Sequence, residues 1–123
     1  MRLPLSVSLA GFLLAAFGLA ASAADPASVR DGRLVTPSGR TLYFFDGDKP
    51  GVSLCRGGCV MTWIPLTADA AARDREPFTL VERRDGSRQW AYQGRPLYAF
   101  IGDHGRGETA GEGIHGLWHS VRP

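Results

Sequence analysis

Residues 42–48 read LYFFDGD and residues 97–103 read LYAFIGD, so the phrase Tyr-x-Phe-x-x-Asp occurs twice, 55 positions apart. Laying residues 39–66 over 94–121 without a gap gives nine identical pairs in 28 positions. This match predicts two copies of one supersecondary unit: a turn, a strand, a glycine-rich loop and a Trp-bearing segment. The motif residues are Tyr43, Phe45, Asp48 and Trp63 in one copy and Tyr98, Phe100, Asp103 and Trp118 in the other. Two copies are too few for an open solenoid, so we expect a closed pseudo-twofold pair that shares one core.

The motif strand is apolar on both of its faces. Side chains two positions apart in a strand point the same way, so Tyr43 and Phe45 share one face while Leu42 and Phe44 share the other. A strand of this kind suits a position that is covered on both sides.

The two motif aspartates stand where a strand ends and a loop begins. A carboxylate in that position can accept hydrogen bonds from the backbone amides of its own loop, so we expect Asp48 and Asp103 to hold their loops in place. The functional alternative is a pair of acidic ligands. Trp63 and Trp118 are expected to close the core over each copy, with each indole N–H seeking a partner.

Apolar runs separated by turn residues predict an all-β, or at least β-dominated, fold with long glycine-rich loops. The turn signals are Pro37-Ser38-Gly39, Asp85-Gly86 and Gln93-Gly94. About six short antiparallel strands are expected, near 33–36, 40–45, 78–83, 88–92, 96–100 and 117–121. A helical turn is expected near 58–62, and residues 67–76 are expected to form a surface loop because they offer too few apolar positions at helical spacing.

The N-terminal residues 1–23, MRLPLSVSLAGFLLAAFGLAASA, have the form of a secretory signal peptide. One basic residue precedes an apolar stretch, and Ala21-Ser22-Ala23 is an A-x-A cleavage signal. A membrane helix is the alternative, but the uninterrupted apolar stretch is shorter than the ~20 residues that a span requires. We therefore expect cleavage near Ala23 and a periplasmic or secreted mature form without a membrane anchor.

Removal of residues 1–23 leaves 100 of the 123 residues, a length that suits a single domain. The sequence predicts a flexible N-terminal arm at 24–30 and one domain at 31–123, with repeats at about 31–66 and 84–121. Of 14 basic residues Arg2 leaves with the signal peptide, so 13 remain against 12 acidic residues. This balance favours neither a nucleic acid nor an acidic membrane as partner.

The two cysteines, Cys55 and Cys59, are expected to form a disulfide because an exported chain meets an oxidising compartment. A spacing of four brings two Cα atoms to roughly 6 Å in a helical turn or tight loop, which is within bridging range. If the cysteines are reduced, their thiolates and the thioether of Met61 form an alternative set of soft ligands for copper(I).

All three histidines, His104, His115 and His119, lie in the last twenty residues. If the second loop folds back over the last strand, two or three imidazoles would converge on copper or zinc, with Asp103 or Glu108 near. The alternative is that they are exposed and unconnected. No Ser/His/Asp order or paired acid and base stands out, so the sequence nominates no catalytic residue.

Taken together, three features resemble a known bacterial family. They are the paired Tyr-x-Phe-x-x-Asp phrases, the Cys-x-x-x-Cys followed by WIPL at 63–66, and the ending GEGIHGLWHSV at 111–121. The chain is similar, over about residues 31–121, to a secreted-repeat family of predicted lipoproteins with a Yx(F/W/Y)xxD motif. The resemblance implies an exported envelope protein of unestablished function and supplies no catalytic residues. This chain departs from the lipoprotein members in having no cysteine to lipidate near its cleavage point.

Two functions follow as hypotheses. The first is a non-enzymatic binding or interaction module of the cell envelope, without a cofactor, whose partner is an envelope protein or a small ligand. The second is a periplasmic protein that binds copper or zinc through the C-terminal histidines.

Overall fold

The computed structural model describes residues 2–6, 10–11 and 24–123. The predicted cleavage point at Ala23 and most of the predicted signal peptide lie outside these residues. Among the residues described, no helix is both long enough and apolar enough to cross a membrane. The described part contains ten strands: β1 Ser28–Arg30, β2 Arg33–Val35, β3 Leu42–Phe45, β4 Trp63–Pro65, β5 Thr67–Ala68, β6 Phe78–Glu82, β7 Arg88–Tyr92, β8 Arg95–Pro96, β9 Tyr98–Phe100 and β10 Trp118–Ser120. A short helix, α1, spans Cys59–Thr62, and a 3-10 turn spans Ile114–Gly116.

The central sheet has the strand order β10-β3-β9-β4, and all of its pairs are antiparallel. Tyr43 and Tyr98, the two motif tyrosines, lie opposite each other at its centre. Trp118 pairs with Phe45 on one side, and Trp63 pairs with Phe100 on the other. Each repeat therefore places its Trp-bearing strand beside the motif strand of the other repeat, which makes the pairing pseudo-twofold.

The sheet is covered on both faces, as the two-sided apolar pattern of β3 predicts. One cluster contains Tyr43 and both motif tryptophans, with Phe45 and Phe100 packed against it. The other cluster lies on the face of Leu42 and Phe44 and contains Ala27, Leu34, Phe78, Leu97 and Val121. The sequence predicts one shared core, whereas the structure has two, because a sheet that is apolar on both faces needs an apolar layer on each.

A hairpin precedes the central strands in each repeat. The turn between β1 and β2 is Asp31-Gly32, with φ of 51° and 75°, the left-handed pair that a two-residue hairpin turn needs. Residues 24–30 were expected to be an arm, but their second half is β1, and Ala27 is buried at 3% exposure. Asp31-Gly32 is the same signal as Asp85-Gly86, which lies between β6 and β7. The small, polar residues before it gave no apolar run that could identify the first strand.

The fold is all-β, and the six strands expected from the sequence are present with shifts of one or two residues at their ends, the fifth of them divided into β8 and β9. The helical turn near 58–62 is also confirmed, as α1. Across the Pro37-Ser38-Gly39 turn, pairing between β2 and β3 is limited to one bridge, Val35 to Thr41, because both edges of β3 are occupied by strands of the other repeat. In the expected surface loop at 67–76, residues 67–68 form β5, which pairs with β7.

Candidate functional site

The repeated motif forms two reciprocal hydrogen bonds between the repeats. Tyr43 Oη donates to Asp103 Oδ2 at 2.7 Å, and Tyr98 Oη donates to Asp48 Oδ2 at 2.8 Å. Both tyrosine side chains are fully buried. The tyrosine of each motif thus donates a hydrogen bond to the aspartate of the other motif. The Tyr-x-Phe-x-x-Asp motif therefore makes its hydrogen bonds only when the two repeats pair.

Each motif aspartate also accepts an amide of its own loop. Asp48 Oδ1 accepts the N–H of Leu54 at 2.7 Å, and Asp103 Oδ1 accepts the N–H of Ala110 at 2.8 Å. One oxygen of each carboxylate thus accepts a hydrogen bond from its own loop, and the other accepts one from the tyrosine of the other repeat. Both aspartates therefore act as anchors of the fold, and neither is arranged as a free acidic ligand.

The motif tyrosines are held in their protonated form. Burial, reinforced by the hydrogen bond to Asp103, raises the pKa of Tyr43 far above its ordinary value. Burial, with the charge of Asp48 adding to it, raises the pKa of Tyr98 to about 12. Burial also raises the pKa of Asp48, although the Leu54 amide and the Tyr98 hydroxyl oppose that rise. The tyrosines are therefore protonated hydrogen-bond donors at physiological pH.

Four motif rings form a continuous stack through the cluster that contains Tyr43. The ring of Phe45 stacks on that of Trp118, with the ring centroids 4.4 Å apart. Trp118 in turn stacks on Trp63, with a centroid distance of 3.8 Å and an angle of 1° between the ring planes. The ring centroids of Trp63 and Phe100 are 4.5 Å apart. The rings of the two repeats alternate along this stack. Burial of such large rings stabilises the pairing of the repeats by several kcal/mol in total, so the motif aromatics form a core and not a ligand surface.

The glycine that follows each motif strand is required by close packing of the motif phenylalanine. A Cβ placed at Gly47 would lie 2.4 Å from the ring of Phe45, and one at Gly102 would lie 2.4 Å from the ring of Phe100. Real Cβ atoms do not approach a ring so closely, so any larger residue displaces the phenylalanine. This explains why the glycine is kept in both copies.

The predicted disulfide is confirmed in the first loop, where Cys55 and Cys59 are bonded with their Cα atoms 5.4 Å apart. Arg83 supports the same loop from the second half of the chain. Its guanidinium donates to Ser53 Oγ at 2.6 Å, to the carbonyl of Cys55 at 2.7 Å and to Gln89 Oε1 at 2.8 Å. Because both sulfurs are in the disulfide, the alternative set of thiolate ligands for copper(I) is not formed.

The three histidines are not brought together. His119 Nε2 lies 2.8 Å from Asp46 Oδ2, and its Nδ1 lies 3.8 Å from Glu112 Oε1. His104 and His115 are exposed in the second loop. Over residues 2–6, 10–11 and 24–123, no group of three or more His, Cys, Asp or Glu side chains is placed to hold a metal ion. Convergence on copper or zinc, one of the two alternatives that the sequence left open, is therefore not found among these residues.

Two surface hollows involve residues that the sequence did not single out. The larger, about 440 Å³, lies between the segment at 24–26 and the loop at 67–75, and the half-buried ring of Trp90 lines it. The smaller, about 220 Å³, is lined by Arg30, Arg33, Thr41 and Arg106. Trp90 has no counterpart in the repeat alignment, and the three arginines are scattered along the sequence. Only the tertiary structure assembles these two sets of residues.

Two stretches of the chain, residues 27–67 and 79–122, match the model of a family described as a secreted repeat of unknown function. The resemblance expected from the motifs is confirmed, with each repeat beginning four or five residues earlier than the motifs alone suggested. The earlier start takes in β1 of the first repeat and most of β6 of the second. No curated protein and no solved structure matches the chain.

Proposed function

Because the chain belongs to the family of secreted repeats of unknown function, we propose that it is a non-enzymatic module that binds a small ligand outside the cytoplasm. The single observation that carries this proposal is the hollow of about 440 Å³ beside Trp90, called here the Trp90 hollow. Its volume lies in the range of small-molecule sites, which are few in any one protein. Release by cleavage near Ala23, into the periplasm or the medium, is part of the same proposal.

The lining of the Trp90 hollow suits a ligand with one flat apolar face and polar edges. The indole of Trp90 provides the flat face, and Pro26 and Ala72 add apolar contact. Charged groups stand around it, including Arg73 and Asp69. A sugar ring has this combination of an apolar face and a hydroxylated edge, so we assign the ligand to the small saccharides.

The wall of the Trp90 hollow is braced in advance of binding. Arg88 donates to the carbonyl of Asp69 at 2.6 Å and to the carbonyl of Ala72 at 3.1 Å, which fastens the loop to β7. Asp69 Oδ1 accepts the N–H of Ala71 at 3.0 Å, and Asp74 Oδ1 accepts the N–H of Leu80 at 2.9 Å. Because these hydrogen bonds already fix the loop in the free protein, less conformational entropy is lost on binding, which favours affinity.

The same lining argues for binding and against turnover. The described residues around the hollow include no Ser, Cys or His, the side chains that most often act as nucleophile or base. One oxygen of Asp69 and one of Asp74 are engaged with backbone amides. These described lining residues therefore offer no nucleophile and base of the Ser–His or Cys–His kind, and we propose that the hollow holds its ligand without changing it.

The test uses the tryptophans themselves. Trp63 and Trp118 are buried at 4% and 3% exposure, so Trp90 is the tryptophan that acrylamide reaches first. The mature protein is titrated with a panel of neutral and amino sugars, with fluorescence and quenching as the readout. We expect one of the sugars to protect Trp90 from quenching in a saturable way. Because the variants lack this reporter, their binding is measured by calorimetric titration with that sugar, and we expect it to be weakened in Trp90→Phe and abolished in Trp90→Ala.

Met61→Ala is the matched control, because Met61 is 74% exposed and does not line the hollow. It is expected to bind as the parent does. If no sugar protects Trp90, or if Trp90→Ala binds as tightly as the parent, the saccharide site is refuted.

A further inference from the structure

The smaller hollow, called here the arginine pocket, brings together basic residues of both repeats. Arg30 and Arg33 face each other across the hairpin of β1 and β2, on either side of its two-residue turn. Arg106 comes from the second loop, where the N–H of Gly107 donates to the carbonyl of Gly39 at 3.0 Å. The contact requires glycine at position 39, because a Cβ there would lie 2.8 Å from Arg106 Cγ. The pocket is thus assembled when the second loop crosses the first repeat.

The arginine pocket keeps an excess of positive charge, because three arginines and one aspartate line it. Among the described residues, Arg30, Arg33 and Arg106 form no ion pair with a carboxylate. Asp31 is the one acidic residue that lines the pocket. Arg33 Nε donates to Ser120 Oγ at 3.2 Å, which orients the Arg33 guanidinium and leaves its two terminal nitrogens available.

A buried polar atom beside these arginines points independently to a ligand. Thr41 lines the pocket and is 1% exposed, and its Oγ1 has no hydrogen-bond partner within the described part of the chain. Buried hydroxyl groups are nearly always hydrogen-bonded in native proteins, so this exception needs a physical cause.

We propose that the arginine pocket binds a phosphate group, with Arg30, Arg33 and Arg106 as its charged donors and the hydroxyl of Thr41 as a neutral one. Guanidinium groups present N–H donors in a planar fork that matches phosphate oxygens, and charge-assisted bonds of this kind are the strong ones. Three cations favour a phosphate group, which presents one or two negative charges over several acceptor oxygens, above a carboxylate, which presents one charge over two oxygens.

The size of the arginine pocket limits what carries the phosphate. A volume of about 220 Å³ admits one phosphorylated head group. Because positive and negative charges nearly balance over the whole chain, the protein does not present the extended basic surface that a nucleic acid would need. This inference is independent of the Trp90 hollow, because the two hollows share no lining residue.

The test is calorimetric titration of the mature protein with inorganic phosphate, with chloride as the comparison at the same ionic strength. We expect saturable binding of phosphate that is absent with chloride. Arg106→Ala should weaken the affinity for phosphate at least tenfold. Arg33→Lys keeps the positive charge but removes the planar pair of guanidinium donors, and it should weaken this affinity at least threefold. Arg84→Ala is the matched control, since Arg84 is exposed and does not line the pocket.

Thr41→Val separates binding from stability. The hydroxyl has no partner within the protein, so its replacement by a methyl group of similar shape should leave the unfolding midpoint unchanged or higher. The affinity for phosphate should nevertheless fall several-fold. A loss of stability without a loss of affinity would show that the hydroxyl serves the fold alone and would overturn its assignment to the site.

The source of the phosphate is resolved with glycerol 3-phosphate and with vesicles of phosphatidylglycerol or phosphatidylcholine. Tighter binding of glycerol 3-phosphate than of either vesicle would support a soluble phosphate monoester. Retention on phosphatidylglycerol vesicles that is lost in Arg106→Ala would support a lipid head group. Equal responses to phosphate and chloride, or equal weakening in Arg84→Ala and Arg106→Ala, would overturn the proposal.

Discussion

The two loops that follow the motif strands, residues 46–62 and 101–117, are anchored alike by the motif aspartates Asp48 and Asp103 but are otherwise held by different means. The first is closed by the Cys55–Cys59 disulfide and braced by Arg83. The second has no cysteine and is held by carboxylates, such as Glu108, which accepts the N–H of His104 at 2.7 Å. The strands around them pair in an identical register. Pairing therefore preserves the motif, while the loops were free to diverge and to carry different surface chemistry.

The largest effects are expected in the aromatic stack, where the two repeats are equivalent. Trp63→Ala and Trp118→Ala each remove a buried indole from the pair that is stacked at 3.8 Å. Each is expected to lower the free energy of unfolding by about 3–5 kcal/mol, the usual cost of truncating a buried aromatic side chain. Urea denaturation of both variants measures this. Costs that differ by more than about 2 kcal/mol would show that the core is not symmetric in energy.

The disulfide tests the difference between the loops directly. Replacing Cys55 and Cys59 together by serine opens a very short covalent loop, which is worth about 2 kcal/mol in the chain-entropy model. We expect a loss of about that size and faster proteolysis between residues 49 and 58, with the second loop cleaved as in the parent. Mass spectrometry of the fragments locates the cuts. Equal acceleration in both loops would mean that the disulfide stabilises the whole fold and not one loop.

The tyrosine–aspartate bonds are geometrically alike but are expected to differ in energy. Asp103 is buried at 7% exposure, whereas Asp48 is half-buried and has Arg83 and Arg95 nearby. Removing the hydroxyl leaves Asp103 short of a partner away from water, so Tyr43→Phe should cost about 2 kcal/mol. Tyr98→Phe should cost about 1 kcal/mol because water reaches Asp48. The two unfolding midpoints in urea decide the order, and the reverse order would contradict this explanation.

The parts of this molecule that were predictable from sequence are those that a local pattern or spacing determines. The two-sided apolar pattern of LYFF predicted that β3 is covered on both faces, although one shared core was expected and not two. The spacing of Cys55 and Cys59 predicted their disulfide. The pairing of each Trp-bearing strand with the motif strand of the other repeat was not predictable. An alignment of the repeats shows which residues are equivalent, but it does not show which strands are neighbours in the sheet. The arginine pocket was not predictable for a related reason: Arg30 and Arg106 are 76 positions apart and have no periodicity in common.

The smallest effect expected is on stability at the start of the alkaline range, near pH 10. The pKa of Tyr98 is raised to about 12 in the folded protein, and that of Tyr43 is raised further, from a value near 10 for an exposed tyrosine. The folded state therefore holds protons that the unfolded state releases between pH 10 and 12. The stabilisation is complete below pH 10 and is lost as the pH rises through this window. Unfolding midpoints should be flat from pH 8 to 9.5 and then fall, with a shallower fall in Tyr98→Phe than in the parent. Equal slopes in the two proteins would show that Tyr98 does not contribute, and would leave Tyr43 and the exposed groups to account for the alkaline loss.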